Sequence, residues 1–279
     1  MNNLPTVTKK QRDIVDLLYS YRFLNRIQIQ TFLKHKDYKT INLWLRDLLD
    51  KQYVGRIYST DFAERTKPAI YYLSLNGIKH LKSMDFHSVE ELGKRYREPT
   101  RSQTYIDRCL LLADCAITLE QARDENDWPQ SWYYFETEAD YMSDSFYHFL
   151  VDSELAHPHL CYDKQIYEGC GVPTTTESYF LEIFDPGLPR YRVKKRISDY
   201  IEFLGSGEWE DENKDDKLPI IQLVCPRTSD LIYAKRRTRG LLSKDWEYDD
   251  ESRPHIQFTT IDKLKKKLGI LAEEIWEDA

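Results

Sequence analysis

Between Thr8 and Leu81 the spacing of apolar residues switches from helical to extended and back to helical, and few small folds accept that order. Thr8 is a candidate N-cap before Lys9-Lys10-Gln11-Arg12, and Ile14, Leu17, Leu18 and Tyr21 follow at helical spacing. A short second helix carries Ile27, Ile29, Phe32 and Leu33. A third is expected from about Tyr38 to Lys51, with Asp37 as its cap. The runs Val54–Tyr58 and Ile70–Leu73 read as strands, joined through Glu64-Arg65-Thr66-Lys67-Pro68. Ser74 is then placed to cap a last helix through Ile78 and Leu81, with Asn76-Gly77 in its first turn.

The third helix is two-faced. At about 100° per residue, Ile41, Trp44, Leu45 and Leu48 gather on one side, and Lys39, Asn42 and Arg46 on the other. Three helices, a two-stranded ribbon and a helix are the order of a winged helix-turn-helix, expected here over residues 1–83. In that fold Asn42 suits adenine, and Lys39 or Arg46 suits guanine, in the major groove. Tyr38 and Thr40 at the helix start suit phosphate or a base edge. Arg56, Arg65 and Lys67 on the wing would meet the flanking backbone or minor groove. Asp47 and Asp50 are expected to point away from the groove. The competing reading is an ordinary solvated charged face.

Charge is divided along the chain. The protein has 279 residues and a net charge of −7, which by itself disfavours a nucleic-acid partner. Residues 1–100, however, hold 18 Lys+Arg against 11 Asp+Glu, a balance of +7, leaving −14 for residues 101–279. Such asymmetry points to nucleic acid or membrane, and with the face of the third helix it makes double-stranded DNA the expected partner of the basic end. Residues 84–101, with Gly93-Lys94-Arg95-Tyr96-Arg97, read as a basic linker that could add phosphate contacts.

From residue 102 onward helices and strands alternate, the pattern of an α/β layer fold. Helices are expected over about 102–123, 191–204 and 229–242 and from 261 onward. Strands are expected near 132–136, 159–167, 178–185, 219–224 and 255–259, with an acidic loop at 208–217. The longest apolar stretch, Cys109–Leu119, is short and contains Asp114, so no membrane span is expected. No signal peptide is visible, and the five cysteines lack a framework spacing; both fit a reducing cytoplasm.

Several stretches together resemble the replication-relaxation family of plasmids and conjugative elements. They are Lys10-Gln11-Arg12-Asp13-Ile14-Val15, Tyr71-Tyr72-Leu73-Ser74, Phe180-Leu181-Glu182-Ile183-Phe184-Asp185, Lys195 to Tyr200, and Ile220 to Arg227. The resemblance covers about residues 8–245. It implies a winged helix followed, over residues 102–279, by a degenerate restriction-endonuclease-like domain of the PD-(D/E)XK type. It also implies a role in replication, DNA relaxation or mobilisation, with a relaxase or replication protein as partner. Phe184 stands where an active nuclease of this fold carries a lysine, Arg108 where members often have His, and Pro158-His159 where many have Pro-Asp.

Two other function classes are open. A metal-dependent nuclease or nickase would need Asp163 and Glu182 to hold Mg²⁺, with Asp185 assisting and Lys195, or Lys194, near the scissile phosphate. Without that activity no cofactor is expected. A transcriptional regulator would use the C-terminal domain for a ligand or partner. His157, His159, Cys161 and Cys170 have zinc-ligand chemistry but no common zinc spacing. Cys109, Cys115 and Cys225 read as core residues, and Gly205-Ser206-Gly207 as a helix stop rather than a nucleophile elbow. Arg236, Arg237 and Arg239, with Lys235, form a basic cluster suited to phosphate or to a helix C-terminus.

Overall fold

The computed structural model of the protein describes residues 4–58, 67–84, 87–125, 131–143, 147, 150, 157–167, 175–213, 217–245, 254–266 and 269–279. The chain forms two compact units, Met1–Ile117 with Met142–Ser145, and Thr118–Tyr141 with Phe146–Ala279.

In the N-terminal unit α1 spans Lys9–Tyr21, α2 Arg26–Phe32 and α3 Tyr38–Asp50. Reciprocal side-chain-to-backbone bonds start α1 (Thr8 with Gln11) and α2 (Asn25 with Gln28), each satisfying amides left without helical partners. Strands β2 (Val54–Ile57) and β3 (Ile70–Leu73) pair antiparallel, with Arg56 opposite Tyr71. A third strand, β1 (Leu24–Asn25), pairs with β3 on its other edge. Two residues are too few for a periodicity signal, so β1 escapes a sequence reading. The core gathers Ile14, Leu18, Ile29, Ile41, Leu45, Leu48, Tyr53, Leu73, Ile78 and Leu81, all at most 1% exposed.

Helix α4 covers Leu75–Lys82, but Ser74 makes no side-chain capping bond. Its start is held instead to the chain that follows α3. Ser74 N–H donates to Tyr53 O (2.9 Å), Asn76 N–H to Gln52 O (3.0 Å), and Asn76 Nδ2 to Lys51 O (2.8 Å). Gly77 permits this approach, because a Cβ there would lie 2.3 Å from the Tyr53 carbonyl oxygen. The Asn-Gly pair is thus a close-contact device within the first helical turn.

The segment expected as a linker is folded. Helix α5 (Val89–Lys94) runs into a 3-10 helix, Arg95–Thr100, within the N-terminal unit. Arg95, 1% exposed, donates to Tyr19 O (2.9 Å) and pairs with Glu91 (3.2 Å). Fully buried Glu98 accepts from Arg22 Nε and Nη2 at 2.8 and 2.6 Å. Lys94 pairs with Glu90 and Glu91, and the Arg101 guanidinium lies 4.7 Å from the Tyr105 ring centroid. Most of the tract's cations are therefore engaged inside the unit, leaving Arg97 for solvent. Composition alone suggested solvation; buried partners from α1 reversed it.

Helix α6 (Gln103–Glu125) passes from one unit into the other. The C-terminal unit is a mixed six-stranded sheet in the order β4-β5-β6-β7-β8-β9. Strands β4 (Ser131–Thr137), β5 (Leu160–Ile166) and β6 (Thr175–Ile183) form an antiparallel meander. Short helix α7 (Glu138–Tyr141) follows β4. Strands β7 (Ile220–Cys225) and β8 (Ile256–Thr260) continue the sheet parallel to β6. Helix α8 (Arg190–Gly205) belongs to the β6–β7 crossover and buries Val193, Ile197, Tyr200, Ile201, Phe203 and Leu204. It ends before Gly207, whose φ of 82° is the left-handed geometry that stops helices.

The acidic segment after α8 is partly helical rather than a loop. Helix α9 (Glu208–Glu212) brings Trp209 into full burial, its Nε1 donating to Lys217 O (3.0 Å). Helix α10 (Thr228–Asp245) belongs to the β7–β8 crossover and packs against α8. The terminal helix α11 is short (Ile261–Lys266), and β9 (Glu277–Asp278) closes the sheet edge antiparallel to β8. The protein is a mixed α/β chain with a mixed sheet. Among the described residues no helix is long and apolar enough to cross a membrane.

Candidate nucleic-acid interface

Asp37 sets the start of α3. Its carboxylate accepts Lys39 N–H (3.0 Å), Thr40 N–H (3.1 Å) and the Thr40 hydroxyl (2.6 Å). The bond from Thr40 Oγ1, then the backbone bonds, hold this carboxyl below its ordinary value. Thr40 was expected to offer its hydroxyl outward; it is turned back onto the cap. Tyr38 is 51% exposed, with the Arg26 guanidinium 5.7 Å from its ring centroid.

The helix then divides by face. Ile41, Leu45 and Leu48 are buried, and half-buried Trp44 meets His35 edge-on at 5.1 Å. Lys39, Asn42 and Arg46 are exposed on one stripe, joined by Leu43 at 61% exposure. Among the described residues neither Lys39 nor Arg46 has an ion-pair partner. Asp47 leaves the stripe, because its carboxylate accepts from Gln11 Nε2 and Lys51 Nζ, both at 2.6 Å. Asp50 is exposed one turn beyond Arg46 on the same face, further from the helix start. A sequence reading passed over Leu43 as an apolar residue, although its wheel position beside Lys39 and Arg46 was available.

On the ribbon, exposed Arg56 lies 5.9 Å from the Tyr58 ring centroid and opposite Tyr71 across the strand pair. Lys67 is exposed before β3. Arg65 lies outside the described residues.

No protein-family model matches this chain, and no curated protein matches it significantly. The resemblance to the replication-relaxation family therefore rests on the residues quoted for it.

The candidate nuclease residues of the C-terminal unit do not assemble. Strand β5 pairs with β6 so that Asp163 faces Ser178, whereas Glu182 lies four residues further along β6. At roughly 3.3 Å per residue that is about 13 Å along the strands, too far for one Mg²⁺. Asp163 is buried and accepts the Tyr147 hydroxyl at 2.7 Å. Glu182 accepts Arg196 Nη2 (2.8 Å) and the Tyr200 hydroxyl (3.0 Å), with His159 Nδ1 at 3.9 Å. Burial alone would raise the Glu182 carboxyl. The Arg196 charge, with the bonds from Arg196 and Tyr200 and with His159 beside them, outweighs it and holds the carboxyl below its ordinary value.

Lys195 points elsewhere: it pairs with Asp199 at 3.0 Å and its side chain is 73% exposed. The cation that reaches the carboxylate is Arg196, one helical step away. Arg196 and Tyr200 are four residues apart on α8 and share a face, a spacing legible in the sequence, where only Lys194 and Lys195 are taken as candidates. Asp185 lies past the end of β6, half-buried in a cavity of about 350 Å³ with Arg190, Arg227 and Asp230.

Among the described residues no group of three His, Cys, Asp or Glu is placed to hold a metal ion. His159 Nδ1 accepts Ile183 N–H (3.1 Å), Cys161 is fully buried with its thiol pushed well up, and Cys170 lies outside the described residues. Burial raises Cys109 to about 11 and Cys225 to about 12, as expected of core thiols.

Proposed function

We propose that the protein binds double-stranded DNA through the N-terminal unit, as a winged helix whose α3 enters the major groove. The exposed stripe Lys39-Asn42-Leu43-Arg46 carries this reading. Its cations are unspent, while other cations of the same unit, such as Arg22, Lys51 and Arg95, are bound to carboxylates. A merely solvated face has no need of an amide and a large apolar side chain between two free cations. Asn42 and Arg46 are the base readers. Arg56 and Lys67 contact phosphates from the ribbon side.

The C-terminal unit is read as a degenerate endonuclease-like domain serving as scaffold or docking surface, with Glu182 engaged by Arg196 and Tyr200. The family resemblance supports a role of this binding in replication or relaxation of a plasmid or conjugative element, with a relaxase or replication protein as companion. The test is selection from a random-sequence duplex pool followed by a gel-shift assay. Arg46→Ala is expected to weaken the selected duplex by about 1–3 kcal/mol and to relax one base position. Unchanged affinity would remove α3 from the interface.

A further inference from the structure

A second basic surface lies in the C-terminal unit, within the stretch, residues 101–279, whose net charge is −14, so bulk composition does not account for it. Arg190 and Arg192 open α8, Arg227 precedes α10, and Arg237 lies within α10. All four are exposed, and none has an ion-pair partner among the described residues. By contrast Lys164, Arg196, Lys235 and Lys263 of the same unit each hold a carboxylate.

Tyr233 organises this surface. The guanidinium groups of Arg190 and Arg237 stand 5.0 and 5.2 Å from its ring centroid, and its hydroxyl donates to Arg190 O (3.2 Å). Two cations from different helices are therefore held in place before any ligand arrives, which lowers the ordering cost of binding an anion. Asp185 and Asp230 line the same cavity as Arg190 and Arg227, so the cavity floor is not net positive. The attraction for phosphate belongs to the rim, at Arg192 and Arg237.

Beside the rim stands Tyr191, 67% exposed, with Arg192 Nε donating to its hydroxyl at 3.2 Å. An exposed aromatic ring among free arginines matches a strand whose bases are unpaired: phosphates meet the cations and a base stacks on the ring. Duplex DNA keeps its base faces stacked inside and would leave Tyr191 unused.

We propose that the C-terminal unit binds single-stranded DNA along the start of α8 and the adjoining face of α10. The choice of DNA over RNA rests on the duplex reading of α3; the surface itself does not. The experiment uses the full chain carrying Lys39→Ala and Arg46→Ala, so that the α3 stripe is silenced. Fluorescence anisotropy compares short oligo(dT), oligo(rU) and a blunt duplex, with polyglutamate as competitor.

Oligo(dT) is expected to bind more tightly than the duplex. Arg192→Glu with Arg237→Glu should weaken oligo(dT) by about tenfold or more and flatten its salt dependence by about 0.7 per lost contact. Tyr191→Ala should weaken oligo(dT) by about tenfold with the salt slope unchanged, because stacking releases no counterions. Its ring is largely exposed, so this variant also keeps the test readable if the double charge reversal fails to fold. Unchanged oligo(dT) affinity in Tyr191→Ala, tighter binding of oligo(rU), or displacement by polyglutamate at equal charge would overturn the proposal. Failure of the α3 reading would instead appear as duplex binding indifferent to Lys39→Ala and Arg46→Ala.

Discussion

Arg196 Nη2 stands 2.8 Å from Glu182 Oε2, and the Tyr200 hydroxyl reaches the same oxygen at 3.0 Å. The carboxylate that the family resemblance offers for metal-assisted chemistry is thereby committed to an internal pair. Both partners come from α8, so the contact ties the crossover helix to the sheet as well as neutralising the acid.

Removing one member should be costly. Glu182→Ala leaves the Arg196 guanidinium without its carboxylate, and destabilisation of about 3–5 kcal/mol is expected in urea unfolding. The folded carboxyl is held below its ordinary value of 4.5, so its stabilising contribution is complete above that value. It is lost as pH falls through the lower folded value. The gap between wild type and Glu182→Gln should therefore shrink in acid, and a pH-independent gap would contradict the assignment.

Gly77→Ala tests the close approach of α4 to the turn after α3. The added Cβ would meet the Tyr53 carbonyl at 2.3 Å, and backbone yields less readily than a side chain. A loss of about 1–3 kcal/mol is expected from overpacking, despite the better helix propensity of alanine. A stabilised Gly77→Ala protein in thermal unfolding would show that this contact is dispensable.

Leu43 separates interface from core. At 61% exposure its truncation to Ala should change folding stability by only about 0.5 kcal/mol. Duplex affinity should nonetheless fall, most at a site where thymine offers its methyl group. Replacing thymine by uracil in the selected duplex should reproduce the loss for wild type and add nothing to Leu43→Ala.

Salt dependence distinguishes the roles proposed for the cations. Arg56→Ala and Lys67→Ala should each reduce the slope of log affinity against log salt by about 0.9, while lowering affinity evenly across sequences. Loss of sequence preference in either variant would move that residue from phosphate to base contact.

The faces of α3 were legible because helical periodicity is local: Ile41, Leu45 and Leu48 point inward whatever lies beyond them. The caps at Thr8 and Asp37 were legible for the same reason, since a cap and its amides lie within one turn. Pairing between strands is not local. Residue types alone made Asp163 and Glu182 a plausible pair, and only the β5–β6 register set them four positions apart.

Tertiary structure also decided the fate of the charges. Arg95 and Arg46 look alike in sequence, yet Arg95 is 1% exposed against Glu91 and Tyr19 O, while Arg46 faces water. Lys195 and Arg196 are neighbours, and one helical step sends the first to solvent and the second to Glu182. The sequence by itself determined the longer helices and strands and which helix faces are apolar, but not β1, α5 or α9. The folded chain decided which polar groups meet, because desolvation and ion pairing depend on distances between residues far apart in sequence.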